Sequence, residues 1–169
     1  IYSVEIPVEL RQFVNNIVQG NIVDADSKNG IAAKVIVRNA LTSDVITELD
    51  NNSEDGRYTV ILPVGKYYNI EVQKDGYSDF IRSIDLRSVT DYNETQLDIA
   101  LFKNVLLDID VSDQDLFEGI VSEVGVKVQG EPDFVQKLKT SGNGSVTATL
   151  PIGSNYEFYV SAENYKSAF

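Results

Sequence analysis

The sequence predicts an all-β fold made of two tandem antiparallel β-sandwiches. Three observations lead to this prediction: apolar residues alternate with polar ones at every second position, turn-forming clusters separate these short stretches, and one segment of the chain is repeated. Period-two alternation is typical of strands that bury one face. Short strands with turn signals between them at regular spacing favour antiparallel sandwiches over helical or parallel folds.

The repeat is seen when residues 55–80 are set over residues 143–168 with a constant offset of 88. Eight of the 26 aligned positions are identical, and most of them are turn residues or inward-phase strand residues, which a shared fold constrains. The identical pairs are Gly56/Gly144, Thr59/Thr147, Leu62/Leu150, Pro63/Pro151, Gly65/Gly153, Tyr68/Tyr156, Val72/Val160 and Tyr77/Tyr165. Upstream, the same offset places Val23 over Val111, and the middle needs a gap. The sequence therefore indicates a tandem duplication.

The alternation places the strands of each copy in order. In the first copy it predicts strands over residues 18–23, 35–38, 45–49, 58–62, 68–72 and, after a loop that follows residue 88, 97–101. In the second copy it predicts strands over residues 106–111, 124–128, 135–138, 146–150 and 156–160. Pro63 and Pro151 are expected to end strands because proline has no N–H to donate. Gly65 and Gly153 supply the backbone freedom of a tight hairpin.

The repeat also predicts the domain organisation. Residues 1–15 form an N-terminal extension, in which residues 7–13 could make one helical turn. Residues 16–103 form the first β-sandwich, and residues 104–169 form the second. The second copy stops about twenty residues short of the first in the repeat comparison, so we expect it to lack its last strand. We expect the native protein to continue beyond both ends.

Composition excludes several classes of function. The chain has no His, Cys, Met or Trp, so it cannot hold a Ser-His-Asp triad, a zinc site of nitrogen and sulfur ligands, a haem bound by His, or an iron–sulfur cluster. Its net charge of −12 disfavours nucleic acid, which needs clustered Lys and Arg. No apolar run approaches the roughly 18 residues of a membrane helix, so no membrane insertion is expected.

One segment of the first copy resembles a known family. Residues 55–58 read Asp-Gly-Arg-Tyr, residues 62–67 read Leu-Pro-Val-Gly-Lys-Tyr, and Gly76-Tyr77 follow. With the strand that opens at Gly20, this order resembles the carboxypeptidase regulatory-like domain family, within the transthyretin-like and collagen-adhesin B-type superfamily. The resemblance implies immunoglobulin-like or transthyretin-like sandwiches. The second copy keeps residues 150–153 but has Asp108 for the strand glycine and Asn164-Tyr165 for Gly-Tyr.

The first eleven residues, IYSVEIPVELR, resemble the terminal strand of a TolB-like propeller. In multidomain bacterial envelope proteins such a propeller precedes this kind of module, and a peptidoglycan-binding domain of the outer-membrane-protein-A type can follow. The resemblance implies a location in the bacterial periplasm, associated with the outer membrane, with the cell surface as the alternative. It also implies that the partners are other domains of the same chain and other envelope proteins.

Two kinds of binding site are open to this composition. Calcium takes carboxylate oxygens, and Asp108, Asp110, Asp113 and Asp115 lie close together at the start of the second copy. The alternative is that these are solvated turn residues that accept backbone hydrogen bonds. Glycans can stack on exposed aromatic rings, and the leading candidates are Tyr77, Phe80 and Tyr165. The full set of candidate rings is Tyr67, Tyr77, Phe80 and Tyr92 in the first copy or Tyr159, Tyr165 and Phe169 in the second. The alternative is that these rings pack structurally.

The sequence thus favours a non-catalytic protein with no cofactor. It predicts a structural spacer or protein-interaction segment within a larger bacterial cell-envelope protein. The alternatives are a carbohydrate-binding module, for peptidoglycan or polysaccharide, and a calcium-stiffened adhesin-like module. A carboxylate-pair glycosidase is disfavoured because small sandwiches with tight hairpins leave little room for a deep cleft.

Overall fold

The computed structural model describes residues 14–165, in which every regular element is a β-strand. The chain divides into two compact units, Ile1–Leu101 and Phe102–Phe169, called unit 1 and unit 2 below. The strands of unit 1 are β1 (Asn15–Asp24), β2 (Lys34–Asn39), β3 (Val45–Asp50), β4 (Arg57–Pro63), β5 (Tyr67–Gln73), β6 (Phe80–Asp85), β7 (Asn93–Gln96) and β8 (Ile99–Leu101). The strands of unit 2 are β9 (Asn104–Asp110), β10 (Glu123–Val128), β11 (Phe134–Lys139), β12 (Ser145–Pro151) and β13 (Tyr156–Ser161).

Some expectations concern residues outside the described range. These are the helical turn at residues 7–13, the propeller-like strand at residues 1–11 and the candidate ring of Phe169. Within the described range, no helix is long and apolar enough to cross a membrane.

Unit 1 has two four-stranded sheets. One has the order β3-β2-β5-β6, and all its neighbours are antiparallel. In the other, β1 pairs with β4 in antiparallel fashion and with β7 and β8 in parallel. The predicted antiparallel pairing is therefore confirmed for most strand pairs of unit 1, and β1 has parallel neighbours in addition. The chain leaves β6 in one sheet and returns alongside β1 in the other, and this long crossover lets it run in the same direction as β1.

The strand predicted over residues 97–101 is shortened to β8 (Ile99–Leu101), and β7 (Asn93–Gln96) forms where a loop is predicted. Gly20 explains the break between them. A Cβ at Gly20 would lie 2.0 Å from the carbonyl oxygen of Leu97. The bare glycine therefore lets Leu97 cross over β1, where its carbonyl accepts a 2.7 Å hydrogen bond from the Tyr58 hydroxyl. Alternation could not predict this crossing, because it depends on the contact between Gly20 and Leu97, which lie far apart in the sequence.

The core of unit 1 follows the predicted alternation. All six inward-phase residues of β4 and β5 are at most 4% exposed. These residues are Tyr58, Val60, Leu62, Tyr68, Ile70 and Val72. The segment after β6 closes this core with Leu86, Ile99 and Leu101, which are buried as well. Burying side chains of this size stabilises the fold by roughly 1.5–3 kcal/mol each.

Unit 2 has a three-stranded sheet of order β11-β10-β13 and a two-stranded sheet of β12 and β9, all antiparallel. Its buried core cluster contains only Val126, Ala148 and Leu150 among the described residues. Tyr156 and Phe158, which occupy the places of Tyr68 and Ile70, are only half-buried. The described part of unit 2 is therefore a sandwich whose core is partly open.

The strand registers correct the upstream alignment of the two copies. Asn15 pairs with Pro63 in unit 1, and Asn104 pairs with Pro151 in unit 2, so the offset in the first strand is 89 and not 88. Unit 2 therefore has one residue fewer than unit 1, and the difference lies in the loop before β12, just before Gly144. The residue at the position of Gly20 is consequently Ile109 and not Asp108. A shift of one residue matters because it moves each side chain to the other face of its strand.

Candidate functional site

Three of the predicted site residues, Tyr77, Asp113 and Tyr165, belong to a set of hydrogen bonds that fastens a loop and occurs once in each unit; we call it a lock. In unit 1, the Asp24 carboxylate accepts backbone N–H groups of Asp26 and Ser27 at 3.0 and 2.8 Å. Its other oxygen accepts the Tyr77 hydroxyl at 2.8 Å. The loop is thereby fastened to the segment that follows β5. Because the Tyr77 ring also packs against the core, it is a structural residue in this geometry.

Unit 2 repeats this lock with Asp113 and Tyr165. The Asp113 carboxylate accepts the N–H groups of Leu116 and Asp115, both at 2.8 Å, and the Tyr165 hydroxyl at 2.8 Å. The hydrogen bonds from Leu116, Tyr165 and Asp115 lower the pKa of Asp113 below its ordinary value. Unlike Tyr77, Tyr165 keeps half of its surface exposed. Phe80, the third predicted glycan contact, packs against the core of unit 1.

The four aspartates proposed for calcium do not converge. Asp108 accepts the Thr147 hydroxyl at 2.7 Å, and Asp110 accepts the Ser145 hydroxyl at 2.6 Å, both across the β9–β12 pair. Asp113 holds its own loop, as described above, and Asp115 is exposed on that loop. In residues 14–165 there is no group of three or more acidic side chains placed to hold a metal ion.

Sequence reasoning missed a second lock, which is buried. The Asn51 side chain accepts the Ala33 N–H at 2.8 Å and donates to the carbonyls of Ile31 and Gly56 at 2.8 and 2.9 Å. In unit 2, Thr140 takes this place: its hydroxyl accepts the Ser122 N–H at 2.7 Å and donates to the Ile120 carbonyl at 2.8 Å. The change from Asn to Thr conceals the correspondence in sequence.

The candidate binding site is a surface of unit 2 that sequence reasoning identified only through Tyr159. We call it the aromatic–lysine face; it consists of Gly125, Lys127, Phe134, Lys137 and Tyr159. The rings of Phe134 and Tyr159 meet edge to face with centroids 5.7 Å apart. The ammonium group of Lys127 lies 4.6 and 5.4 Å from the two ring centroids, and that of Lys137 lies 5.0 Å from Phe134.

A hollow of about 480 Å³ opens at this face. Gly125 lets the Phe134 ring lie against β10 beside this hollow, because a Cβ at this position would come within 2.4 Å of the ring. Tyr159 and Lys137 also line the hollow. A shallow surface with two rings and adjacent cationic donors suits a ligand that has apolar patches and polar or anionic groups.

Unit 1 has no such surface at the equivalent place. Ile36 stands where unit 2 has Gly125, and it is buried. Arg38 stands where unit 2 has Lys127, and it forms a 3.0 Å ion pair with Glu71, at the position of Tyr159. The aromatic–lysine face is thus not required by the repeated fold. The signal in the sequence was a glycine in the middle of a strand, which often marks a close approach to that strand.

No protein family and no curated protein matches the sequence. Among solved structures, the chain is similar to the Bacillus anthracis TIE protein, with 19% identity and a TM-score of 0.45 over 89% of this chain and 30% of that one. It is similar to 3-chlorocatechol 1,2-dioxygenase from Rhodococcus opacus 1CP, with 13% identity and a TM-score of 0.42 over 56% and 62%. A third is the shaft pilin SpaA from Lactobacillus rhamnosus GG, with 10% identity and a TM-score of 0.38 over 94% and 91%.

The chain thus spans less than two thirds of the length of the first two of these proteins. TM-scores below 0.5 do not assign a family or a function. What the structure itself shows is an all-β chain with several antiparallel sheets. Membership of the carboxypeptidase regulatory-like family, inferred from residues 55–77, stays a prediction.

Proposed function

We propose that this chain is a non-catalytic structural and protein-interaction segment of a larger bacterial cell-envelope protein. The observation that carries the proposal is the duplicated set of locks. The carboxylates of Asp24 and Asp113 are each bonded to backbone N–H groups and to a tyrosine hydroxyl of their own unit. Side chains held in this way fix their loops. The proposed location is the periplasmic side of the outer membrane, with the cell surface as the alternative.

This proposal is tested in cells that produce the longer protein. Asn51→Ala, which breaks a buried lock, should reduce the activity of the whole protein because it destabilises unit 1. Asp108→Asn and Asp110→Asn, which alter exposed carboxylates on β9, should leave it intact. The opposite result, with folded Asp108→Asn protein inactive, would contradict a purely structural role and point to chemistry at the carboxylates.

The aromatic–lysine face supports carbohydrate binding as a second candidate function. Two aromatic rings beside Lys127 and Lys137 offer flat apolar contact together with hydrogen-bond donors. Peptidoglycan is the first ligand to test, and an acidic polysaccharide is the second because the lysine ammonium groups favour anions. This site replaces Tyr77 and Phe80, whose rings pack against the core of unit 1.

Pull-down on insoluble peptidoglycan tests this candidate. Phe134→Ala and Tyr159→Ala should each reduce the bound fraction at least about fivefold if the rings form the contact surface. Phe117→Ala is the matched control because Phe117 is an exposed ring of the same unit that lies outside this face. Equal retention of all three variants would exclude this face as the glycan site.

The calcium alternative has a direct test as well. If calcium stiffens the chain through Asp108, Asp110, Asp113 and Asp115, EDTA should lower the melting temperature by several degrees, and added calcium should restore it. We expect no change, because these carboxylates do not converge.

A further inference from the structure

The loop between β9 and β10 of unit 2 exposes two large apolar side chains at its tip. Leu116 is 67% exposed and Phe117 is 83% exposed. We call this pair the apolar tip. The Asp113 carboxylate accepts the Asp115 and Leu116 N–H groups, and the Asp113 carbonyl accepts the Phe117 N–H at 3.0 Å. These hydrogen bonds hold the loop, so the apolar tip is presented in a fixed position.

Unit 1 builds the same loop with a polar tip. Its Lys28 N–H donates to the Asp24 carbonyl at 2.9 Å, and Lys28 has a φ of 60° where Phe117 has 55°. Ser27 and Lys28 therefore occupy the place of the apolar tip. The loop does not require apolar residues, and this left-handed backbone conformation is unfavourable for a bulky side chain such as that of Phe117. A phenylalanine at this position thus indicates a role outside the fold of its own unit.

The exposure of this tip is a property of the loop itself. In unit 1 the strands β6, β7 and β8 all follow β5, and β8 ends beside the loop, where the Leu101 carbonyl accepts the Ala25 N–H at 2.9 Å. Residues 26–29 are nevertheless exposed. The strands that follow β5 do not cover this tip in the unit that has them. Adjacent exposed apolar side chains at the same place in unit 2 therefore favour a partner from outside the unit.

Unit 2 also carries a surface with the complementary chemistry. The hollow of about 480 Å³ on the aromatic–lysine face is lined by the rings of Phe134 and Tyr159 and by Lys137 and Lys139. Glu123 lines it as well, and it lies opposite Lys139 in the β10–β11 register. The middle strand of this face, β10, is paired on both sides, so the hollow is not an open strand edge.

The charges beside the apolar tip have the opposite sign to the lysines. Asp115 precedes the tip and Glu118 follows it, and both are exposed. An apolar tip with acidic flanks fits an apolar hollow with a lysine rim, because the rings bury the apolar side chains while the lysines pair with the carboxylates.

Unit 1 lacks both halves of this match. Its strand register places Glu48 and Asp50 where unit 2 has Lys137 and Lys139, so acids replace the lysine rim. Its loop has the polar tip described above. The apolar tip and the lysine rim therefore occur together in one unit and are both absent from the equivalent places of the other, as expected of two surfaces that bind each other.

We propose that the apolar tip of one chain binds in the hollow of the aromatic–lysine face on a second copy of the chain. The Phe117 ring lies against Phe134 and Tyr159 in this contact. The carboxylates of Asp115 and Glu118 lie beside the lysines of the rim. Because the two surfaces differ, each contact takes the tip from one chain and the hollow from the other.

A contact of this size is expected to be weak. One loop tip buries less than the roughly 1,200 Å² at which stable interfaces begin. The net charge of −12 also makes two chains repel each other. At about 0.15 M salt the Debye length is about 8 Å, which screens the repulsion between whole chains but weakens ion pairs in direct contact much less. We therefore expect self-association at high protein concentration and moderate salt.

This inference deepens the proposed function by naming a second copy as the partner, and it rests on that function in treating the chain as a protein-interaction segment. Its test measures the association of the purified chain, whereas the proposed function is tested by Asn51→Ala in cells. A monomeric chain would remove the second copy as partner without affecting the structural role. Glycan binding is measured separately, because Phe117 lies outside the aromatic–lysine face.

Sedimentation velocity of the purified chain from about 10 µM to about 1 mM tests the proposal, because contacts with dissociation constants near 1 mM are populated at the upper end. The sedimentation coefficient of the unaltered chain should rise with concentration. Phe117→Asn removes the ring and introduces a residue that tolerates the left-handed backbone, and it should weaken association at least about tenfold. Lys137→Glu gives the rim the residue type of Glu48 in unit 1 and should weaken association to a similar extent.

Leu41→Asn is the matched control. Leu41 is 71% exposed, similar to Leu116, but it lies in the β2–β3 turn of unit 1. This variant should associate as the unaltered chain does. Equal losses in Leu41→Asn and Phe117→Asn would indicate nonspecific apolar association and would overturn the proposal.

Mixing the two variants identifies the contact. Phe117→Asn keeps the hollow and Lys137→Glu keeps the apolar tip, so each alone should be largely monomeric, whereas an equimolar mixture should form one-to-one pairs. If Lys137→Glu alone associates as strongly as the unaltered chain, the rim is not part of the contact and the proposal is wrong.

The proposal is also overturned if the unaltered, folded chain stays monomeric up to about 1 mM, or if the mixture of the two variants does not pair. Circular dichroism establishes that each variant is folded. If Phe117→Asn does not fold, Phe117→Lys takes its place, since Lys28 has this position in the loop of unit 1.

Discussion

Single side chains in this protein satisfy several backbone groups at once. Asn51 alone bonds to the N–H of Ala33 and the carbonyls of Ile31 and Gly56, and it is nearly fully buried. A buried backbone group without a partner costs about 1–3 kcal/mol, so one such residue controls a large fraction of the stability of its unit.

Asn51→Ala is therefore expected to destabilise unit 1 by about 3 kcal/mol or more, since three buried groups lose their partner together. Asn51→Thr should cost less, because Thr140 performs the equivalent role in unit 2 with two of these bonds. Urea unfolding followed by circular dichroism measures both. An Asn51→Ala protein as stable as the wild type would show that water replaces the side chain.

The Asp113 lock makes unit 2 sensitive to acid. The pKa of Asp113 is lowered in the folded chain by hydrogen bonds from Leu116, Tyr165 and Asp115. A carboxylate with a lowered pKa stabilises the fold above its unfolded pKa, about 3.9, and this stabilisation is lost as the pH falls through the folded pKa. Tyr165→Phe removes one of the donors and should raise the pKa of Asp113 towards the ordinary value.

Carboxyl chemical shifts followed through an NMR titration measure this pKa. Tyr92→Phe serves as the control, since Tyr92 bonds to Glu94 in unit 1 and should not affect Asp113. An unchanged Asp113 titration in Tyr165→Phe would mean that the backbone donors alone set the pKa.

At the level of loops and strands, glycines fix how closely two segments approach. A Cβ at Gly119 would lie 1.9 Å from the carbonyl oxygen of Asn143, and one at Gly30 would lie 2.3 Å from the carbonyl carbon of Asp55. These two glycines occupy equivalent bridges, Ser112↔Gly119 and Val23↔Gly30. At such positions even one methyl group forces the two loops apart.

Gly119→Ala is expected to destabilise unit 2 strongly, by roughly 2 kcal/mol or more, because backbone atoms must move. Gly142→Ala is the matched control: it lies in the neighbouring loop, and a Cβ there would meet nothing within 4 Å. It should be neutral or slightly stabilising. Thermal unfolding of the two variants compares them directly, and equal melting temperatures would contradict the close approach.

At the level of the whole molecule, the two units have cores of very different size. Fourteen hydrophobic residues form the buried cluster of unit 1 and three form that of unit 2 within residues 14–165. Since buried apolar area is the main source of stability, unit 2 is expected to be the weaker unit.

Calorimetry should therefore show two transitions, with unit 2 melting first. Leu150→Ala should lower the melting temperature of the first transition only, and Leu62→Ala that of the second only, because the two leucines occupy equivalent positions in separate cores. Each substitution should reduce the free energy of unfolding of its unit by about 2–5 kcal/mol. A single transition that both variants lower would show that the units unfold together.

Much of unit 1 was predictable from sequence. The inward phase of β4 and β5 followed from alternation, because a strand with one buried face must repeat every two residues. The ends of these strands followed from Pro63 and Gly65. In unit 2, the replacement of the glycine of Gly76-Tyr77 by Asn164 could also be understood. Asn164 has a φ of 67° where Gly76 has 79°, and asparagine tolerates this conformation better than most residues.

The candidate sites were less predictable, because they depend on contacts between distant residues. The sequence predicts exposed rings at Tyr77 and Tyr165, but their hydroxyls bond to aspartates 53 and 52 residues away. Phe134 was not chosen, because its importance comes from Gly125 on the neighbouring strand. The register of β9 was misplaced by one residue, since the deletion lies in a polar loop where sequence similarity is weak.

The sequence by itself determined an all-β chain, a duplicated unit and the absence of histidine and cysteine chemistry, since these depend on local alternation, turn residues and composition. Only the tertiary structure decided that β1 gains parallel neighbours while β9 keeps an open edge among the described strands. It alone placed Phe134, Tyr159 and Lys127 together. Pairing partners and cross-strand contacts are set by the packing of segments far apart in the chain, which no local pattern records.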